Sequence, residues 1–341
     1  MASRRTPASH PWVALIAAVA VAACGSAGPR ELPPAAEPAR SPSLDVAPAG
    51  RVVPVGNRPE GIVADAGTGL AAVGLRAPDR LALVDTATGR VVRRVPLPGA
   101  PRHLALQRPG GPVLVPTEPA DELTTVALPG GATRSLRVGR YPHDATASGE
   151  RIFVGDERGG TVSVLDGERP AGRLRVAYQP GGVAILDSGR KLVVVSVKER
   201  VVELFDVRTL RRLARAPAGV GPTHVVTDGH QMAYVVDTAG GALLAFHLQP
   251  RFELSRRLPL LGGPYGIVFD HASRHMWVTL TKTNEVVELA SGSRPHFLRR
   301  LPSVRQPNTV AVDERSGRVL VTGKVDGVLQ LLDPPPRSPR R

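Results

Sequence analysis

A repeat of about forty residues runs through most of this chain and restricts its fold more than any other feature of the sequence. Each copy begins at a proline, and successive repeat prolines are separated by 38 to 43 residues. The repeat prolines are Pro59, Pro101, Pro142, Pro180, Pro222, Pro264 and Pro307. Between them, short runs of Val, Leu, Ile and Thr alternate with turn residues, a pattern typical of β-strands. Seven such copies predict a β-propeller with one blade per copy.

The copy that follows Pro180 shows the blade most clearly. Its β-branched runs predict strands over residues 182–186, 191–197, 201–206 and 211–216, separated by short turns. Four strands joined in this way form one antiparallel blade. The predicted fold is therefore all-β, a seven-bladed β-propeller of four-stranded antiparallel blades.

The last copy lacks a fourth strand. Its third strand ends at Asp333 and is followed by three prolines, residues 334–336, which cannot continue a sheet. Residues 51–55, Arg-Val-Val-Pro-Val, resemble the outer strand predicted over residues 90–95. We therefore expect residues 51–55 to pair with blade 7, so that the propeller spans residues 51–333 and has no open edge.

The strands and turns resemble those of the bacterial YVTN-repeat (YncE-like) β-propeller family. That family carries a YVTN … V-x-V-I-D signature in its second and third strands, followed by a V-G-x-x-P turn. The matching segments here are residues 81–85, 162–166, 232–236 and 318–322, and the turns at residues 55–59 and 138–142. The resemblance covers all seven copies and implies the same seven-bladed fold.

The first 24 residues have the features of a bacterial lipoprotein signal. Arg4 and Arg5 precede an apolar run over residues 12–23, which is too short to span a bilayer. The run ends in Val-Ala-Ala-Cys, which resembles a lipobox, and Cys24 is the only cysteine of the chain. We expect residues 1–23 to be a signal peptide and Cys24 to be lipidated. The protein would then be membrane-anchored and extracytoplasmic, in the cell envelope.

Two segments outside the repeats have the composition of disordered chain. Residues 24–50 are rich in Pro and Ala without periodicity, and residues 334–341 are rich in Pro and Arg. We expect a disordered linker over residues 24–50 and a disordered basic tail over residues 334–341.

Polar residues directly after the repeat prolines are the candidate functional residues. In a propeller this segment enters the innermost strand at the mouth of the central channel, so these residues form a ring. They are Glu60, Arg102, His103, His143, Asp144, His224, Tyr265 and Asn308. Histidine and carboxylate groups on one concave surface suit metal binding or acid–base chemistry. Adjacent strand residues point to opposite faces, which predicts that His103 and His224 face away from His143. No catalytic residue is assigned, no cofactor is predicted, and a divalent metal is left open.

Arginines dominate the outermost strands. The chain has a formal net charge of +14. Pairs of arginines recur on or beside the fourth strand of successive blades and predict a basic outer rim. The rim residues are Arg93, Arg94, Arg211, Arg212, Arg256, Arg257, Arg299 and Arg300. The rim either binds a polyanion, such as nucleic acid or cell-wall polymer, or prevents edge strands from pairing between molecules.

Three functions remain open from the sequence. The first is a monomeric binding module that takes a small molecule, a glycan or a protein at the channel mouth. The second follows from related propellers, the lactone hydrolases and the streptogramin-inactivating lyases, which would make the mouth a His/Glu enzyme site. The third is a polyanion binder that uses the basic rim. No H-E-x-x-H, G-x-S-x-G or phosphate-loop motif is present in the sequence.

Overall fold

The computed structural model describes residues 1–2 and 34–334. The chain divides into two compact units, residues 1–32 and 33–341, and every strand belongs to the second unit. Nearly all of the predicted signal peptide, together with Cys24 and residues 335–341 of the predicted tail, lies outside the described residues. Within the described part of the chain the only helix is a three-residue 3-10 turn, Glu118–Ala120. No helix in the described residues is long and apolar enough to cross a membrane.

Among the described residues, twenty-eight strands form seven four-stranded antiparallel sheets arranged in a ring, which confirms the predicted fold. Blade 1 consists of β2 Ile62–Asp65, β3 Leu70–Leu75, β4 Arg80–Asp85 and β5 Val91–Pro96. Blade 2 consists of β6 Ala105–Leu106, β7 Val113–Thr117, β8 Glu122–Val126 and β9 Thr133–Arg137. Blade 3 consists of β10 Pro142–Ser148, β11 Arg151–Asp156, β12 Thr161–Asp166 and β13 Arg169–Arg175. Blade 4 consists of β14 Pro180–Leu186, β15 Lys191–Ser196, β16 Val201–Asp206 and β17 Arg212–Pro217. Blade 5 consists of β18 Pro222–Thr227, β19 Met232–Asp237, β20 Ala242–His247 and β21 Glu253–Pro259. Blade 6 consists of β22 Pro264–Asp270, β23 His275–Leu280, β24 Glu285–Ala290 and β25 His296–Pro302. Blade 7 consists of β26 Pro307–Asp313, β27 Arg318–Gly323, β28 Val328–Leu332 and, from the start of the chain, β1 Arg51–Pro54.

The N-terminal strand completes blade 7, as the sequence predicts. β1 pairs antiparallel with β28, with Arg51 opposite Leu331 and Pro54 opposite Val328. Val55, directly after β1, is only 1% exposed and packs in a cluster with residues of blades 1 and 7. Joining the last blade to the first through this cluster buries the edges that an open array would expose.

The hydrophobic core lies between neighbouring blades rather than in one central mass. One cluster joins Val193 and Leu204 of blade 4 to Val235 and Leu244 of blade 5, and the other clusters repeat this arrangement around the ring. The second strand of each blade is buried on both faces, which explains its unbroken β-branched and apolar sequence. The fourth strands are largely exposed, and in five blades a register shift disrupts their pairing with the third strand.

A bulge follows the repeat proline in five blades. In blade 3 Pro142 pairs with Asp156 and Asp144 pairs with Gly155, so His143 has no partner in the ladder. Blades 4 to 7 have the same one-residue shift. The extra residue breaks the alternation of side chains at this point of the strand. We expected His103 and His224 to face away from His143 because side chains alternate strictly along a regular strand. The bulge removes that reason.

Residues 34–50 differ from the predicted disordered linker. Ser41 N donates to Gln306 Oε1 over 2.9 Å, and Gln306 Nε2 donates to Ala39 O over 2.8 Å. Asn284 Nδ2 donates to Pro42 O over 3.1 Å. The segment has too few apolar residues to order itself, but side chains of blades 6 and 7 bind its backbone. Because these partners lie more than 240 residues away in sequence, composition alone gave no sign of them.

Candidate functional site

Glu60 is the centre of an ionic network at the end of the channel where the repeat prolines lie. Its side chain is 1% exposed and is paired with Arg102 Nη1 over 2.7 Å and with Lys324 Nζ over 2.8 Å. Asn308 Nδ2 lies 3.4 Å from Glu60 Oε1. Burial raises the pKa of Glu60, but Arg102, Lys324 and Arg76 outweigh it and hold the pKa below its ordinary value of 4.5. The predicted candidates Glu60, Arg102 and Asn308 are therefore in direct contact.

His143 lies between two carboxylates that the sequence analysis did not select. Its Nδ1 is 3.2 Å from Glu118 Oε1 and 3.2 Å from Glu157 Oε2. Burial lowers the pKa of His143, as does Arg102, but the two carboxylates raise it above its usual 6.5. Despite burial, His143 and Gln179 bring the pKa of Glu157 down to about 2. The two carboxylates therefore favour protonation of His143, and Arg102, whose Nε lies 3.5 Å from His143 Nε2, opposes it.

His103 and His224 form a second pair, below the ionic network. Their Nε2 atoms are 2.9 Å apart, and their rings meet edge to face with centroids 4.4 Å apart. Burial and neighbouring positive groups keep the pKa of His103 well below 6.5 and bring that of His224 to about 3. Both rings are therefore neutral at neutral pH, one donating the shared hydrogen bond and the other accepting it.

Tyr265 and the ring of His143 enclose this pair. The Tyr265 and His224 rings have centroids 4.6 Å apart, and those of His143 and His103 are 4.9 Å apart. Burial raises the pKa of Tyr265 to about 12, so its hydroxyl stays protonated. His103 belongs to blade 2 and His224 to blade 5, and they touch because innermost strands approach one another closely at the axis of the ring.

Asp144 is the one predicted candidate outside these contacts. It lines the central channel, where its Oδ1 accepts from Ala145 N and its Oδ2 from Val183 N, each over 2.9 Å. Burial raises its pKa to about 6, against the smaller opposing effects of Val183 N–H, His143 and Ala145 N–H.

The proline end of the channel is filled and covered. Ala35, Ala36 and Glu37 lie over Arg102, His143 and Tyr265 and leave a cavity of about 20 Å³. A cavity of this size holds a single water molecule. The mouth at which the sequence analysis placed the candidate residues has no room for an organic ligand in this structure.

The open part of the channel lies on the other side of the His103–His224 pair. It has a volume of about 600 Å³ and walls made by the inner strands of the blades. Its apolar lining includes Leu104, Leu106, Ile185, Ile267 and Val310. Exposed residues at the far ends of those strands, Arg108, His271 and Glu314 among them, surround its opening. The channel is therefore open at one end, closed at the other by a floor of polar side chains, and lined by apolar walls.

The residues that sequence reasoning missed occupy a second ring. Arg76, Glu118, Glu157 and Lys324 each come directly after the second strand of their blade, at the same channel end as the residues after the prolines. Because the inner two strands form a hairpin, the start of the first and the end of the second are neighbours. Comparing the same position across all copies would have identified these four charged residues; in blades 4 to 6 the position holds Val197, Thr238 and Thr281.

The three groups Glu118, His143 and Glu157 could also ligate a metal ion. One ligand atom of each lies within 4.8 Å of the other two, and all three side chains are at least partly buried. Arg102 opposes a cation here, since its Nε is 3.3 Å from Glu118 Oε1 and 3.5 Å from His143 Nε2. A metal would have to displace the proton of His143 and move the guanidinium.

The predicted basic rim lies on the outer strands, where its arginines are exposed except for the half-buried Arg299. Several are paired with carboxylates of the adjacent third strand. Arg212 binds Glu203 over 2.8 Å, Arg300 binds Glu285 over 3.0 Å, and Arg299 binds Glu288. These pairs reduce the positive charge available to a polyanion.

Comparison with known proteins supports the fold and no finer grouping. No protein-family model matches the chain, and no curated protein matches it in sequence. Among solved structures, hydrazine synthase from Kuenenia stuttgartiensis is similar with a TM-score of 0.73 and 16% identity, covering 86% of this chain and 98% of that one. A chain of the mitotic checkpoint complex has a TM-score of 0.74 and 12% identity, covering 87% and 96%. The streptogramin B lyase structure has a TM-score of 0.69 and 12% identity, covering 83% and 98%.

Proposed function

We propose that this protein is a lipid-anchored, extracytoplasmic propeller that binds a small organic molecule in its central channel. The observation that carries the proposal is the channel of about 600 Å³ with apolar walls and a polar floor. Pockets that bind small molecules have volumes of roughly 300 to 1,000 Å³ and combine apolar walls with a few convergent polar groups. The repeat pattern that resembles the YVTN-repeat propellers, and the lipobox-like residues before Cys24, support the placement of this module on the outside of a membrane.

The two ends of the channel favour entry from one side only. At the proline end, residues 35–37 and the ionic network leave about 20 Å³. At the opposite end, the inner strands finish in exposed turns around the opening. A ligand would enter there and stop at the His103–His224 pair, which is buried and neutral and so presents no charge to an apolar molecule.

A series of straight-chain alcohols tests binding in the channel. We expect the full chain carrying Cys24→Ser, which cannot be lipidated, to bind 1-hexanol, 1-heptanol and 1-octanol with rising affinity in calorimetric titrations. Each added methylene buried in the channel should tighten binding about fourfold, because it contributes about 0.8 kcal/mol. Absence of binding, or affinity that does not change with chain length, would contradict the proposal.

A pair of matched variants locates the site. Ala184 lines the channel and Ala87 is exposed in a turn. Ala184→Phe should narrow the channel and weaken octanol binding, whereas Ala87→Phe should leave it unchanged. Melting temperatures of both variants check that each is folded. Equal octanol affinities in the two variants would place the binding site elsewhere.

The anchor has its own test. Cells given an alkyne-bearing fatty acid should incorporate it into the wild-type protein but not into a Cys24→Ala variant. The labelled protein should fractionate with membranes. Label that persists in Cys24→Ala would refute lipidation at this residue and leave channel binding untouched.

The Glu118–His143–Glu157 cluster favours a second candidate, a metal-dependent enzyme of lactonase or lyase type at the proline end, whose substrate would reach the cluster only after residues 35–37 move away from it. One nitrogen and two carboxylate oxygens, each within 4.8 Å of the others, match a ligand set that Zn²⁺ accepts. Calorimetric titration with Zn²⁺ tests it, with His143→Ala as the ligand variant and His275→Ala as a control, since His275 also contacts a carboxylate. Binding to the wild type that only His143→Ala abolishes would support this candidate.

A further inference from the structure

We propose that the channel ligand carries one positively charged amine, bound by the Asp144 carboxylate, and an apolar body that lies along the inner strands. The inference rests on the proposed function, because it names the chemistry of the molecule that the channel would take. Asp144 lines the channel as part of β10, directly after His143.

Asp144 differs from the other carboxylates near the channel floor in forming no ion pair, although the charge of the neighbouring His143 lowers its pKa. Glu60 is paired with Arg102 and Lys324, and Glu118 and Glu157 are both paired with His143. Among the described residues, no Lys, Arg or His nitrogen forms an ion pair with Asp144. Its recorded partners are two backbone amides, Ala145 N and Val183 N.

The two amides leave part of the carboxylate free. An ionised carboxylate has about four lone-pair sites, of which two are used here, one on each oxygen. A carboxylate in an apolar environment without a counter-ion is unfavourable, and an ammonium group from the ligand would both neutralise it and donate hydrogen bonds. Charge-assisted hydrogen bonds of this kind are about twice as strong as neutral ones.

The other charged and titratable groups that face the channel do not replace the missing cation. His103 and His224 are held neutral by burial and by their positive neighbours. At the far opening, Arg108 is paired with Glu150 over 2.8 Å, and Asp65 accepts from Gly110 N and Thr68. The channel floor therefore combines one carboxylate with two neutral rings, which favours a cation and disfavours an anion.

The test compares three probes that share an eight-carbon chain: n-octylammonium, 1-octanol and octanoate. Calorimetric titrations use the full chain with Cys24→Ser at about pH 8, where the amine is protonated and the Asp144 carboxyl is ionised. We expect octylammonium to bind at least about tenfold more tightly than octanol, and octanoate to bind least. The protein's net charge of +14 repels cations in general, so a preference for octylammonium must come from a local carboxylate.

Two variants assign the preference to Asp144. Asp144→Asn should bring the affinities for octylammonium and octanol to within about twofold of each other, and its melting temperature checks that the variant is folded. Glu314→Gln is the matched control, because Glu314 lines the same channel at its exposed opening, and it should keep the preference. Asp144→Glu, which restores the charge, should recover part of it.

The outcomes separate this inference from the proposed function. If octanol binds but octylammonium binds no better, or if Asp144→Asn keeps the preference, the amine is refuted and channel binding stands. Tighter binding of octanoate than of octylammonium refutes the amine as well. If none of the three probes binds, the proposed function and the inference built on it are both refuted.

Discussion

Replacing Glu60 by Gln should destabilise this protein more than any substitution in an exposed ion pair. The Glu60 carboxylate is 1% exposed, and it contacts Arg102 over 2.7 Å and Lys324 over 2.8 Å. Glutamine has nearly the same shape but no charge. In Glu60→Gln, Lys324 loses its only recorded carboxylate partner among the described residues, whereas Arg102 keeps Glu118 at 3.3 Å.

The expected loss follows from the burial of the pair. Removing one partner of a buried ion pair typically costs about 3 to 5 kcal/mol, because the other charge stays buried without compensation. Since Arg102 keeps a second carboxylate and Lys324 is 32% exposed, we expect the lower end, about 3 kcal/mol. The control is Glu150→Gln. Glu150 is 72% exposed and its partner Arg108 57% exposed, so this substitution should lower the free energy of unfolding by less than about 1 kcal/mol.

The assay is urea unfolding of the full chain carrying Cys24→Ser, with the free energy of unfolding compared between variants at neutral pH. A second readout is pH. The folded-state pKa of Glu60 lies below its ordinary 4.5, so its contribution is present above that pH and is lost as the pH falls through the folded-state value. The difference between wild type and Glu60→Gln should therefore shrink in acid. A loss below about 1 kcal/mol at neutral pH, equal to that of Glu150→Gln, would refute the reasoning.

Three further predictions concern ring closure, the channel floor and a turn. Deleting residues 1–56 should lower the melting temperature far more than deleting 1–49, because only the first removes β1 and the buried Val55; equal melting temperatures would contradict the closure. The folded-state pKa of Asp144 is raised from 3.8 to about 6. The folded state therefore favours the protonated carboxyl; this stabilisation is fully present below the unfolded-state pKa and is lost as the pH rises through about 6. Relative to Asp144→Asn, the wild type should lose up to about 3 kcal/mol of unfolding free energy between about pH 4 and pH 7, and parallel pH curves would argue against a raised pKa. Gly139→Ala should cost about 1 to 3 kcal/mol, because its Cβ would lie 2.1 Å from Asp156 Oδ2, whereas Gly130→Ala meets nothing within 4 Å and should be neutral; the measurement is urea unfolding, and equal losses would rule out the steric explanation.

Part of the candidate site could be read from the chain because it follows from the repeat. Once each copy is aligned on its proline, the residues after Pro59, Pro101, Pro142 and Pro222 must enter the innermost strand at one end of the ring. That alignment selected eight candidates, and the structure brings all of them except Asp144 into one contact network: Glu60, Arg102, His103, His143, His224, Tyr265 and Asn308. It did not select the four charged residues after the second strands, although the same alignment contains them.

Side-chain direction could not be read from the chain. A period of two predicts that His143 and His103 face opposite ways, but a one-residue bulge after Pro142 breaks the period. Bulges depend on how the second strand pairs with the first and on the crowding of seven strand ends around one axis. Neither is encoded in the local sequence of blade 3.

The sequence by itself determined the number of blades, their strand order and the closure by residues 51–55, because these depend on short-range patterning of apolar residues and turns repeated seven times. Only the tertiary structure decided which end of the channel is filled and which is open. Residues 35–37 cover one end through partners far away in the chain, and Asp144 lines the open side without forming an ion pair. Contacts more than 240 residues apart hold the covering segment, and a contact between neighbouring blades holds Asp144; neither leaves a periodic signal in the sequence.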